Sequence, residues 1–205
     1  MLFLKYIFIF LFFIISSVFS QTLNKPLVQF KTSFGDFYII LFPEVAPETV
    51  NNFLKYVEDG FYDDTIFHRV VDNFLIQGGG ITTQHIHKPT YAPIVNESKY
   101  SLSNRTGRVS MALPLNKINQ ATSQFFINLS DNTQLDYNHR TRRGFTVFGE
   151  VIDGLDIVYK IASIPTFTRD FDFYGTPVSF TDVPKKQVVI YSVKILKNEF
   201  YEKIK

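Results

Sequence analysis

Among the residues whose types could do chemistry is Arg69, in the run Phe67-His68-Arg69-Val70-Val71-Asp72-Asn73-Phe74-Leu75-Ile76-Gln77-Gly78-Gly79-Gly80. A guanidinium is permanently charged and presents a rigid fork of donors, so it can stabilise charge or a lone pair that develops beside it. Residue type alone leaves Arg69 readable as a solvated strand position, and Phe74, Phe126 and Leu135 as plain core. Other chemistries are weaker. The absence of cysteine removes disulfides, thiolate ligands and thiol nucleophiles together. His85 and His87 alternate along Gln-His-Ile-His and could ligate a metal from an extended chain, but no carboxylate or third histidine is close in sequence. No nucleophile-elbow pattern surrounds Ser123. Arg140, Arg142 and Arg143 form a basic loop, and Asn96, Asn104 and Asn128 head glycosylation acceptor triplets. We therefore expect no metal and no cofactor.

The elements that must hold Arg69 are mostly short strands. Leu27–Lys31 and Gly35–Leu41 read as a hairpin, and Thr65–Gly80 as two strands about an Asp72-Asn73 turn. Further strands are expected at Arg108–Ala112, Ser123–Leu129, Thr146–Val151 and Gln187–Leu196. Pro47 opens a helix whose Val50, Phe53, Leu54 and Val57 recur at helical spacing, and Leu155–Ile164 reads as a second helix. Residues 81–108 and 166–182 read as loops. Two helices so far apart exclude repeated βαβ units, leaving an antiparallel barrel or sandwich closed by helices.

The chain of 205 residues suits one domain plus a leader. Residues 1–20 carry a single cation, Lys5, then an apolar run and Ser16-Ser17, the layout of a secretory signal rather than a full membrane span. Residues 21–26 form a short extension, 27–198 the domain and 199–205 a tail. The protein is expected to be exported, periplasmic and monomeric, with no membrane insertion once the leader is cleaved; the alternatives are secretion, or anchoring in a membrane through an uncleaved leader. A formal net charge of +2 argues against a nucleic-acid partner. The 17% aromatic content points to an aromatic core or pocket.

The fourteen-residue block resembles the signature of the cyclophilins, which are peptidyl-prolyl cis/trans isomerases. Ser123-Gln124-Phe125-Phe126-Ile127-Asn128 and Phe148-Gly149-Glu150-Val151 follow in the family's order and spacing. The leader, the triple glycine and Leu135-Asp136-Tyr137 with Arg143-Gly144-Phe145 make the chain most similar to the bacterial exported type. The resemblance implies a mostly-β fold, a closed eight-stranded antiparallel barrel capped by two helices. It places the catalytic arginine on Arg69 and the proline pocket on Phe74, Leu75, Phe126 and Leu135. Gln77 and Gln124 fall on the polar rim, Met111 and Ala112 on a strand facing the peptide, and Phe145 beside them. Leu75 stands in place of the usual Met, a volume-conserving change. Gln134 replaces a common Trp and Phe145 a common His, which weakens the expectation of cyclosporin-type inhibition.

An X–Pro bond turns slowly because amide resonance raises a barrier of about 18–20 kcal/mol. Twisting restores the nitrogen lone pair, and Arg69 could donate to it from the edge of a dry apolar cup. No proton moves, so His68 reads as structural. Proline-containing polypeptides are the expected partners. The rival readings are a proline-segment-binding chaperone or adaptor, and a secreted effector recognising its target through 166–182. One point of geometry resists the resemblance: a two-residue turn at Asp72-Asn73 sets Arg69 opposite Ile76, so Gln77 joins Arg69 only if the second strand is bulged or twisted, a distortion that Gly78–Gly80 make cheap.

Overall fold

The computed structural model describes residues 25–114 and 117–196. The expected leader, most of the extension and the tail lie outside the described residues. Among the described residues, ten strands and two α-helices follow in order: β1 (Leu27–Thr32), β2 (Gly35–Leu41), α1 (Pro47–Glu58), β3 (Thr65–Val71), β4 (Leu75–Thr82), β5 (Arg108–Met111), β6 (Phe125–Asn128), β7 (Val147–Asp153), α2 (Leu155–Ala162), β8 (Thr166–Phe173), β9 (Thr176–Pro184) and β10 (Val188–Leu196). Eight strands close a barrel in the order β1-β10-β3-β4-β6-β5-β7-β2. Each neighbouring pair is antiparallel. This is the expected barrel.

Alternation along the strands sends one set of side chains inward. The interior is aromatic. Phe30 stacks on Phe37 at 4.8 Å, and Phe53 meets Phe125 edge-on at 5.8 Å and Phe148 at 5.1 Å. Helix α1 begins with Pro47 in its first turn, where a missing N–H costs nothing, and buries Val50, Phe53, Tyr56 and Val57. Leu54, expected on that stripe, is only partly buried. Helix α2 contributes Val158 and Ile161 to the same interior cluster, so both helices cap one core. No helix among the described residues is long and apolar enough to cross a membrane.

Residues 166–182 are not a loop. They belong to a separate two-stranded sheet, β8–β9, turned at Tyr174-Gly175 with φ of 54° and 83°. Positive φ at both central residues marks a two-residue hairpin turn, and Gly175 supplies one of them without strain. The alternating Thr-Phe-Thr-Arg-Asp-Phe-Asp-Phe is a strand pattern that length and polarity obscured. This hairpin lies over β3, where Phe171 and Val183 join Ile66 and Ile81 in a second apolar cluster.

Candidate active site

The turn between β3 and β4 sets the site. Val71 pairs with Leu75, so the loop holds three residues, Asp72, Asn73 and Phe74, with Asn73 at φ 55°. One residue more than an ideal two-residue turn shifts the register, and Arg69 falls opposite Gln77. The expected bulge in β4 is therefore not what brings them together. The bulge beside Arg69 lies on β3: Phe67 pairs with Gly78 and Arg69 with Gln77, leaving His68 as the extra residue. Gly79–Ile81 do widen β4, but farther along, between the partners of Phe67 and Thr65.

The bulge sorts consecutive side chains. Phe67 and Val70 enter the barrel core, while Ile66 belongs to the outer cluster under the hairpin. His68 goes outward as well. Its ring meets Phe171 at 6.4 Å and Phe180 at 5.9 Å, both edge-on, and both its nitrogens are buried without a partner. Burial lowers its pKa from 6.5 to about 3, so it is neutral at physiological pH. Arg69, one-third exposed, has its Nε 3.6 Å from Asp182 Oδ2 on β9.

From Arg69 a row runs across the outer face of the barrel: Arg69 pairs with Gln77, Gln77 with Phe126, and Phe126 with Ser110. Strands about 4.8 Å apart put Phe126 two spacings from Arg69. Gln77 Nε2 donates to Gln124 Oε1 at 2.9 Å, joining the two glutamines. Phe126 and Leu75 are buried yet stand outside the barrel core, while their neighbours Phe125 and Ile76 lie inside it. The Phe145 ring stands edge-on to Phe126 at 5.4 Å. Leu135, in a single 3-10 turn (Thr133–Leu135), accepts the Phe145 N–H at 2.9 Å. The Phe74 carbonyl is held by Leu129 N–H at 2.9 Å and Asn132 Nδ2 at 2.8 Å. Ala112 is half-buried beside this face, its N–H donating to Gln124 O. Met111 differs: its side chain is buried in the barrel core and its N–H donates to Thr146 O, so it offers the outer face neither group.

Behind the face lies a polar layer that sequence reasoning missed. Asp136 accepts from Asn104 N at 2.6 Å and Asn104 Nδ2 at 2.9 Å. Asn104 Oδ1 accepts from Ser110 Oγ at 2.7 Å, and Asn128 Oδ1 from Asn132 Nδ2 at 2.9 Å. These contacts tie the Leu135 turn to β5 and β6. Asn104 and Asn128 are fully buried, so the folded chain offers neither to a glycan. Gly144 completes the support: a Cβ there would lie 2.6 Å from Tyr137 Cα.

The other candidates disperse. Ser123 Oγ is buried and unpartnered, with no histidine or carboxylate on it. His85 stacks on Phe171 at 5.3 Å and His87 lies 4.6 Å from Phe173, and burial lowers both pKa values. Among the described residues no group of three or more His, Cys, Asp or Glu is arranged to hold a metal.

A family model for cyclophilin type peptidyl-prolyl cis-trans isomerases matches residues 27–195. The chain belongs to the cyclophilins. It is 46% identical over 176 residues to a peptidyl-prolyl cis-trans isomerase of Acinetobacter baylyi, covering 86% of this chain and 88% of that one. It is 43% identical over 171 residues to peptidyl-prolyl cis-trans isomerase B of Escherichia coli, covering 82% and 99%. Among solved structures, a cyclophilin type isomerase of Cryptosporidium parvum, crystallised in the presence of the dipeptide Ala-Pro, superposes with a TM-score of 0.65 at 28% identity, covering 84% and 99%. Matches of this length and identity make this cyclophilin a peptidyl-prolyl cis-trans isomerase. Its fold brings Arg69, Gln77, Gln124, Leu75, Phe126 and Phe145 to one outer face, and sends the Met111 side chain into the core instead.

Proposed function

We propose that this cyclophilin accelerates X–Pro rotation in exported polypeptides and so assists their folding outside the cytosol, with Arg69 as its catalytic residue. The observation that carries the reading is the row Arg69–Gln77–Phe126, which sets a guanidinium at the edge of buried apolar side chains that are not part of the core. Phe126, Leu75, Phe74, Leu135 and Phe145 hold the proline ring and exclude water. Gln77 and Gln124 bind the flanking peptide backbone. As the bond twists, its nitrogen turns pyramidal and regains a lone pair, to which Arg69 donates a hydrogen bond. No proton is transferred and no bond breaks, so neither a cofactor nor a neighbouring base is required. In a site shielded from water that hydrogen bond gains strength, and the twisted state gains more than either planar isomer.

The test is kinetic. Arg69→Ala should lower kcat/KM for a cis-proline peptide by about a hundredfold, the scale of one preorganised donor lost, with far-UV circular dichroism unchanged. Undiminished turnover in that variant defeats the mechanism. Export follows from the leader: the chain expressed in a Gram-negative host should appear in the periplasmic fraction with Gln21 as its first residue, and retention of residues 1–20 there contradicts cleavage.

A further inference from the structure

The contact between Arg69 and Asp182 comes from outside the barrel. Asp182 lies on β9, where Phe167 faces Val183 but Arg169 faces Phe180, so β9 carries one residue more than β8. Asp182 sits in that bulge at φ 61°, a left-handed conformation that disfavours side chains. The hairpin docks without it: Phe171 and Val183 supply the buried apolar contact, with Phe180 packed against them. What the bulge adds is the direction of one carboxylate, and re-aiming a side chain is a recognised use of bulges beside active sites.

We propose that Asp182 is a positioning residue that sets the orientation of the Arg69 guanidinium, an inference resting on the catalytic role proposed above for Arg69. A guanidinium is a flat fork with one N–H at Nε and four on the two Nη atoms. The carboxylate lies 3.6 Å from Nε, and no hydrogen bond from the described residues engages either Nη. Holding the Nε edge restricts rotation of the plane and leaves the Nη donors to the substrate. Both side chains are about one-third exposed, at 34% and 36%, so the effect is modest and screened by salt.

Three substitutions separate orientation from folding. Asp182→Asn keeps the shape and removes the charge; Asp182→Gly removes the carboxylate and relieves the positive φ; Asp182→Glu keeps the charge. Asn and Gly should each lower kcat about threefold at low salt with KM little changed, the size an exposed ion pair supports. Glu should restore part of the loss. Urea unfolding should show Asp182→Gly no less stable than the parent. The side-chain Nε–Hε signal of Arg69 should show faster nitrogen relaxation-detected motion in the Asn and Gly variants. Parental kcat and unchanged Arg69 Nε dynamics in both, with Arg69→Ala lowered about a hundredfold, overturn the positioning role while sparing the proposed function. Full activity in Arg69→Ala overturns both.

Discussion

His68 and Arg69 are chain neighbours with opposite fates, and the single extra residue on β3 separates them. The imidazole is fully buried, unpartnered and neutral, which makes stability depend on pH. The unfolded chain protonates this histidine near 6.5, whereas the folded protein resists until about 3. Between those values the unfolded state binds the extra proton, so stability falls as pH drops from about 6.5 toward 3 and is fully present above that window. Each pH unit inside it is worth about 1.4 kcal/mol, and lowering pH from 7 to 5 should remove about 2 kcal/mol through this residue. Urea titrations at both pH values, on the parent and on His68→Leu, measure the difference. The variant should lose about 2 kcal/mol less than the parent. Equal losses would clear His68 of the effect.

At the scale of elements, what could be read from the chain depended on how local the deciding contact is. Pro47 and the spacing of Val50, Phe53 and Val57 located α1, since a helix is specified within its own turns. The eight barrel strands were legible as β-prone runs, but their closure came from the family resemblance, because pairing β1 with β10 joins residues far apart in sequence. The β3–β4 register was misread for a physical reason. Whether Phe74 belongs to the turn or the strand depends on its carbonyl being claimed by Leu129 and Asn132, which are distant in the chain. The β8–β9 hairpin was missed although its alternation is visible, because most of its positions are exposed and polar, and its buried apolar residues, Phe171 and Val183, find partners on the barrel. Asp182 and the Asn104–Asp136 layer left no local signal at all. Their partners are set only when the barrel and its loops come together.

The whole molecule divides into a complete barrel and an appendage, and that division can be tested by excision. Thr166 pairs with Pro184, and Lys185 N–H donates to Pro165 O at 2.8 Å, so the hairpin enters and leaves at one point. Replacing residues 167–183 by Asn-Gly would bridge the gap with a two-residue turn. All eight barrel strands and both capping helices remain, and the aromatic interior around Phe30, Phe53 and Phe125 is untouched. The shortened chain should therefore fold, with far-UV circular dichroism dominated by the same strands. It should be less stable, by up to about 2 kcal/mol for each of Ile66 and Ile81 returned to water. Losing Asp182 should lower kcat by no less than Asp182→Gly does. Uncovering His68 should bring its pKa back toward 6.5 and flatten the acid dependence between pH 7 and 5, since the burial that depressed it is gone. Those readings share one cause, a hairpin that shields β3 and reaches Arg69 from outside. A shortened chain that fails to fold would instead make the hairpin part of the barrel's own stability, and one that folds with its acid dependence intact would show that something other than the hairpin keeps His68 neutral.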